Sequence, residues 1–173
     1  MRIFIISTIF FINMIMQSTV YEYIEILNVR PNTALILVVS YAMLRGDVEG
    51  AIVGFFVGLL QDAYFGRYIG LHALLCMLAG YLCGKPFKNF YRESYLQPIL
   101  LIGITSLAYE FVFYCSNFLL RGRLDVALYM QKIILPGTVY ALILSLPVYH
   151  FLYIVNKKLE AREWSKRRRF QRI

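Results

Sequence analysis

The stretch GDVEGAIVGFFVGLLQDAYFG, residues 46–66, carries a glycine or an aspartate at every fourth position. The residues at this step are Gly46, Gly50, Gly54, Gly58, Asp62 and Gly66. Glycine destabilises a helix in water by about 1 kcal/mol relative to alanine. Helix propensity therefore does not explain a regular stripe of glycine. The solvent that surrounds the helix does.

The composition indicates that this solvent is lipid. The chain has 173 residues, of which 60% are hydrophobic and 16% are charged, and its mean hydropathy is +0.61. Soluble domains average about 45–50% apolar and about 25% charged residues. The apolar runs 1–20 and 98–120 are long enough to cross a hydrocarbon core of about 30 Å. We therefore expect an all-α membrane protein that folds as one compact bundle.

Charged residues, proline and glycine divide the chain into about six transmembrane helices. The expected spans are about 3–20, 32–44, 48–64, 69–84, 95–120 and 132–156. Residues 1–156 then form the bundle, and residues 157–173 form a basic tail. No cleavage pattern follows the first apolar run, so we interpret it as a retained span. The second span is short, which predicts that it is shallow or packed inside the bundle.

The distribution of Lys and Arg predicts the orientation of the bundle. With six spans, thirteen of the eighteen basic residues fall on one side, so both termini are expected in the cytoplasm. Eight of the thirteen belong to the tail. A five-span chain with its N-terminus outside therefore stays open as an alternative.

The tail KKLEAREWSKRRRFQRI, residues 157–173, accounts for much of the net charge of +8. Its densest basic cluster is Lys166, Arg167, Arg168 and Arg169. Basic residues beside a span attract anionic lipid by about 1 kcal/mol each. We expect lipid contact and a role in topology, with a cytoplasmic protein partner as the alternative, and we expect no nucleic acid.

Glycines at Gly46, Gly50, Gly54 and Gly58 would cut a groove into one side of the third span. Small residues let transmembrane helices approach closely, because lipid removes the hydrophobic drive for helices to associate. We expect another helix of this chain to fill the groove and the third span to be central. A helix of a partner protein is the alternative occupant.

The groove ends in polar residues at the predicted outer end of the third span. Gln61 and Asp62 lie there, and Arg67 follows them in sequence. A carboxylate near the membrane usually faces a cavity, a partner or a basic residue. Either Asp62 ends the span in water, or these residues form a polar site between helices that opens to the outer face.

Glu110 lies near the middle of the fifth span. A charged carboxylate at that depth is costly unless it is paired or protonated. We expect a neutral Glu110 that forms a hydrogen bond between helices, with a proton relay to a histidine as the less favoured alternative. The sequence contains no zinc-protease, serine-hydrolase or phosphate-loop motif, so we expect no catalytic activity and no cofactor.

Residues 30–84 resemble the rod shape-determining protein MreD family of bacterial cell-wall elongation. The features that carry the resemblance are Pro31-Asn32, Arg45-Gly46, Glu49-Gly50, residues 58–62, Gly66 and Gly70-Leu71. The remaining chain agrees in its general plan, which is a small bundle of spans with a basic end.

The resemblance implies a non-enzymatic adaptor in the bacterial cytoplasmic membrane. Its partners would be an MreC-like bitopic protein, the actin-like MreB, and a RodA-type glycosyltransferase with a class B penicillin-binding protein. The family also resembles in fold the S-components of energy-coupling-factor vitamin transporters. A substrate-binding S-component is therefore the alternative function, although the short outer loops favour the adaptor.

Overall fold

The computed structural model describes residues 2–19, 32–65, 70–85, 96–117 and 130–170. These residues form six α-helices and no strand, which confirms the all-α prediction. The helices are α1 Arg2–Thr19, α2 Thr33–Arg45, α3 Asp47–Phe65, α4 Leu71–Gly84, α5 Leu96–Asn117 and α6 Leu135–Phe170. A π-helical turn, Met130–Ile134, leads into α6.

The central helix is α2. Every residue from Thr33 to Leu44 is buried, and α2 contacts each of the other five helices. The expectation that the third span is central is therefore wrong. α3 packs through its grooved side and leaves Phe55 and Phe56 exposed on another side, whereas neighbouring helices enclose α2 along its length. Of the two explanations for its short length, the structure shows packing inside the bundle.

The glycine stripe of α3 packs against α4. A Cβ atom added at Gly50 would lie 2.8 Å from the carbonyl oxygen of Gly80, and one added at Gly54 would lie 2.8 Å from the carbonyl carbon of Cys76. No real Cβ atom approaches backbone so closely. The two helices are therefore in backbone contact, and a helix of the same chain occupies the groove.

The contact is reciprocal and continues along both helices. A Cβ atom at Gly58 would lie 2.6 Å from the Ala73 nitrogen, and one at Gly84 would lie 2.5 Å from the Asp47 nitrogen. Glycines of α4 thus face the start of α3, while glycines of α3 face the middle and start of α4. Only residues without side chains permit this approach along its whole length.

Gly46 serves a different purpose from the other glycines of the stripe. It lies between α2 and α3, with φ of 104°, and its N–H donates to the Ala42 carbonyl at 2.7 Å. A residue with a side chain is strained at this φ. Gly46 therefore ends α2 and allows the tight turn that brings α3 back alongside it.

Successive helices from α1 to α5 run in alternating directions. The end of α1 lies beside the start of α2, and Tyr41 near the end of α2 donates to Glu49 near the start of α3 at 3.0 Å. Between α4 and α5, the sulfur of Cys83 lies 3.1 Å from the hydroxyl of Thr105. The bundle is thus an up-and-down arrangement over these five helices.

The outer surface of the described bundle is apolar. Large exposed side chains include Phe11, Ile52, Phe56, Leu82, Leu100 and Ile143. Two segments, Gln97–Ser116 and Leu135–Leu159, are long and apolar enough to cross a membrane, and three shorter apolar helices accompany them. Large apolar surfaces of this kind are unusual on soluble monomers.

The α3–α4 contact generates a stability prediction. Replacing Gly54 by Ala should destabilise the protein by about 1–3 kcal/mol, because the new methyl group meets helix backbone that cannot move aside. Thermal unfolding of the purified protein in detergent measures the effect.

Gly103 on α5 provides the matched control. A Cβ atom there meets only the end of the Leu142 side chain, at 2.9 Å. That side chain can rotate, so Gly103→Ala should change stability by less than about 1 kcal/mol. Equal losses in the two variants would contradict the backbone contact.

Candidate functional site

Asp62 lies at the end of α3 and holds the start of α4. Its side chain is 2% exposed, and its two oxygens accept hydrogen bonds from the backbone N–H groups of Gly70, His72 and Ala73, at 2.9, 3.0 and 3.0 Å. Asp62 therefore does not end the span in water; it belongs to a polar site between helices, and the opening of that site to the outer face stays a prediction. Arg67, its expected partner, lies outside the described residues.

The beginning of α4 explains why a buried carboxylate is stable there. The first N–H groups of a helix have no partner within the helix. Gly70, the residue before α4, has no side chain that could cap them, and its φ of 106° turns the chain into the helix. Asp62 therefore supplies from α3 the acceptor that a local cap would supply, and its charge is favourable at the positive end of the helix dipole.

Gln61 performs a related task for α2. Its side-chain amide donates to the side-chain oxygen of Asn32 at 3.0 Å, and the same oxygen accepts from the backbone N–H of Leu35 at 3.1 Å. Asn32 is thus the N-cap of α2, a position at which Asn is strongly preferred. Adjacent residues at the end of α3 consequently fix the beginnings of two different helices.

The first helix also contributes to the start of α2. In the amide orientation that satisfies both of its atoms, the oxygen of Gln17 accepts from the backbone N–H groups of Thr33 and Ala34, at 3.1 Å each. The hydroxyl of Thr33 lies 2.9 Å from Asn13. Gln17 is buried, so these bonds replace water at the helix terminus.

His72 connects this end of the bundle to α5. Its Nδ1 atom is hydrogen bonded to the hydroxyl of Tyr109, and its ring stacks on Phe113 with ring centres 5.0 Å apart. We call the whole set the polar clamp. It consists of Gln17, Asn32, Thr33, Gln61, Asp62, His72 and Tyr109. The clamp joins α1 to α5 at one end of the bundle.

The chemistry of the clamp is structural. Both oxygens of Asp62 are used by backbone amides, so this carboxylate is not positioned to act on a substrate. A cleft beside the clamp has room for no more than about one water molecule. It is lined by Phe10, Asn13, Met14, Gln17, Ala34, Val57, Leu60 and Gln61. The described residues contain no group of three side chains suited to a metal ion.

The remaining predicted residues lie elsewhere. Glu110 is half-buried on α5, and its hydrogen bond between helices stays a prediction. The alternative was a proton relay between Glu110 and a histidine. His72 is instead hydrogen bonded to Tyr109, so the relay has no link at this histidine. The cluster Lys166 to Arg169 lies on the last turns of α6.

Sequence reasoning missed most of the polar clamp. Asn32 directly before a helical run is a recognisable N-cap signal. An acidic residue in the last turn of one helix, nine residues before the next helix begins, can similarly be expected to reach that helix's N-terminus. The pairing of His72 with Tyr109 leaves no such local signal, because 37 residues separate them.

The fold and the clamp together define a helical membrane protein whose polar residues fasten helices to one another. A family model described as rod shape-determining protein MreD matches residues 1–155, and the chain belongs to this family. It is accordingly a membrane protein of rod shape determination, in a family of structural proteins rather than enzymes. No curated protein and no solved structure matched the chain.

The clamp generates a prediction at Asp62. Replacing Asp62 by Asn should reduce the free energy of unfolding by roughly 2–4 kcal/mol, because the new amide group points a donor at backbone donors. Chemical denaturation of the purified protein in detergent micelles measures this loss.

The same substitution at Asp47 serves as the control. Asp47 is the first residue of α3, and among the described residues its carboxylate accepts only from the exposed N–H of Val48, at 3.0 Å. Asn substitutes well for Asp at such positions, so the expected loss is less than about 1 kcal/mol. A small loss at Asp62 would mean that the amides of α4 find other acceptors.

Proposed function

We propose that this protein is a non-enzymatic membrane adaptor of the bacterial cell-elongation machinery. In this role it binds an MreC-like bitopic protein and helps to couple MreB filaments to peptidoglycan synthases. The observation that carries the proposal is the polar clamp. The buried polar groups at that end of the described bundle bind helix termini, so the surface left for partners consists largely of apolar helix faces.

A rigid core supports this role. Backbone contact between α3 and α4 and the hydrogen bonds of Asp62 hold these helices in one arrangement. The exposed face of α3, which includes Phe55 and Phe56, is therefore presented with a fixed shape. We propose that the glycine stripe and the pair Gln61 and Asp62 act on partners indirectly, through this shape, and that partners pack on lipid-facing surfaces.

Six spans with both termini in the cytoplasm would suit the adaptor. The alternating directions of α1 to α5 and the excess of basic residues on one side support this topology. This topology places on the cytoplasmic side the end of the bundle that contains Arg45 and Glu49. The Nε atom of Arg45 lies 4.0 Å from a carboxylate oxygen of Glu49. The protein could then contact MreB at the cytoplasmic face of the membrane. It could contact a RodA-type glycosyltransferase within the membrane and the class B penicillin-binding protein at the outer face.

The S-component of a vitamin transporter is the alternative function. The cleft between α1, α2 and α3 has room for about one water molecule, so this cleft is not itself a vitamin pocket, which would need about 300–1,000 Å³. The likeness to the S-component fold rests on the family resemblance alone.

Affinity purification from native membranes in mild detergent tests the adaptor proposal. The unmodified protein should recover an MreC-like protein or a cell-wall synthase. Recovery of ATPase subunits together with a bound vitamin would contradict the adaptor and favour the transporter.

A pair of leucine substitutions on α3 tests the indirect role of the glycine stripe. Gly54→Leu should abolish recovery of the partner and impair elongation, since it forces α4 away from α3. Val48→Leu places the same residue at the exposed start of α3, two turns before Phe55 and Phe56, and should preserve both. Unchanged recovery and cell shape with Gly54→Leu, at equal protein levels in the membrane, would disprove the proposed role.

A further inference from the structure

The basic segment after the last span continues the helix of that span. α6 runs without interruption from Leu135 to Phe170, through Pro147, and its apolar part ends at Leu159. A flexible tail could fold back onto the membrane surface. A continuous helix instead carries its last residues in the direction of the span.

The length of the extension separates two groups of basic residues. Lys157 and Lys158 are exposed at the end of the apolar part, which the membrane placement proposed above puts at the level of the lipid headgroups. At 1.5 Å per residue, Lys166 lies about 12 Å and Arg169 about 17 Å farther along the helix. The headgroup layer is about 5–8 Å thick on each side. If the extension runs along the membrane normal, the four-residue cluster would therefore stand beyond the headgroups, by a distance comparable to the Debye length of about 8 Å.

The distribution of charge around the extension also disfavours binding in the plane of the membrane. Residues 157–170 contain seven basic and two acidic residues. At 3.6 residues per turn, the basic positions occur on all sides of the helix, with a widest gap of about 100°. An interfacial helix needs a continuous apolar face opposite its charged face. This segment has no such face.

We propose that the raised end of α6, with Lys166, Arg167, Arg168 and Arg169, binds an acidic surface of a protein in the aqueous phase. Lys157 and Lys158 contact lipid headgroups, and the four-residue cluster does not. A cationic helix that projects from the membrane is complementary to a strongly acidic partner surface. The inference rests on the membrane placement proposed above, but not on any particular partner of the elongation machinery.

The height of the helix can be measured at Trp164, the only tryptophan of the chain. The full-length protein is placed in nanodiscs of phosphatidylcholine, with and without phosphatidylglycerol. Acrylamide in the water should quench the indole strongly, brominated lipids should quench it weakly, and phosphatidylglycerol should change neither. Strong quenching by brominated lipid, or protection from acrylamide when phosphatidylglycerol is added, would overturn the proposal in favour of lipid binding.

Binding of synthetic polyglutamate to the same nanodiscs tests the charge cluster. Changing all four cluster residues to Gln should weaken binding by about tenfold or more. The control Lys157→Gln with Lys158→Gln should leave it within about twofold. Equal effects of the two variants would overturn the division between the two groups.

A helix-breaking variant supplies the last comparison. Ser165→Pro keeps every charge but interrupts α6, so the cluster becomes free to reach headgroups. Phosphatidylglycerol should then compete with polyglutamate in this variant, while it leaves binding to the unmodified protein within about twofold. Competition of equal strength in both proteins would contradict a raised helix. All three measurements use purified protein, so their failure would leave the adaptor proposal intact.

Discussion

The hydrogen bonds between Asp62 and the first amides of α4 are the constraint on which the bundle depends. The start of α4 is half-buried in the bundle, where its first N–H groups have little access to water, and an unsatisfied buried group costs about 1–3 kcal/mol. Gly70 allows α4 to begin abruptly but contributes no acceptor. Asp62 solves both problems at once, because a carboxylate accepts several hydrogen bonds and its charge opposes the helix dipole.

This constraint is coupled to the glycine stripe. Asp62 reaches the start of α4 only because α3 and α4 are in backbone contact at Gly54 and Gly58, two turns and one turn earlier along α3. Without the hydrogen bonds of Asp62, the backbone contact between α3 and α4 would in turn be less well aligned. The glycine stripe and Asp62 therefore act together. The glycines set the distance between α3 and α4, and Asp62 sets the relative position of the two helices along their axes.

The helical character and the family could be predicted from the sequence, since both follow from hydropathy and from residues close together in the chain. The central place of α2 could not, because an apolar helix of thirteen residues looks the same whether lipid or protein surrounds it. The partners of Asp62 were missed for a different reason. Backbone amides are present at every position and leave no mark in the sequence, so reasoning from side chains turned to Arg67 instead.

The short helices α2 and α4 have a consequence for the lipid around them. Their 13 and 14 residues correspond to about 20 Å each, whereas the hydrocarbon layer is about 30 Å thick. Protein shields α2 on all sides, but α4 leaves Leu74, Leu78 and Leu82 exposed on the surface of the bundle. In the proposed membrane placement, acyl chains next to this face would have to compress to match it. Hydrophobic mismatch would then thin the bilayer along one side of the bundle rather than all around it.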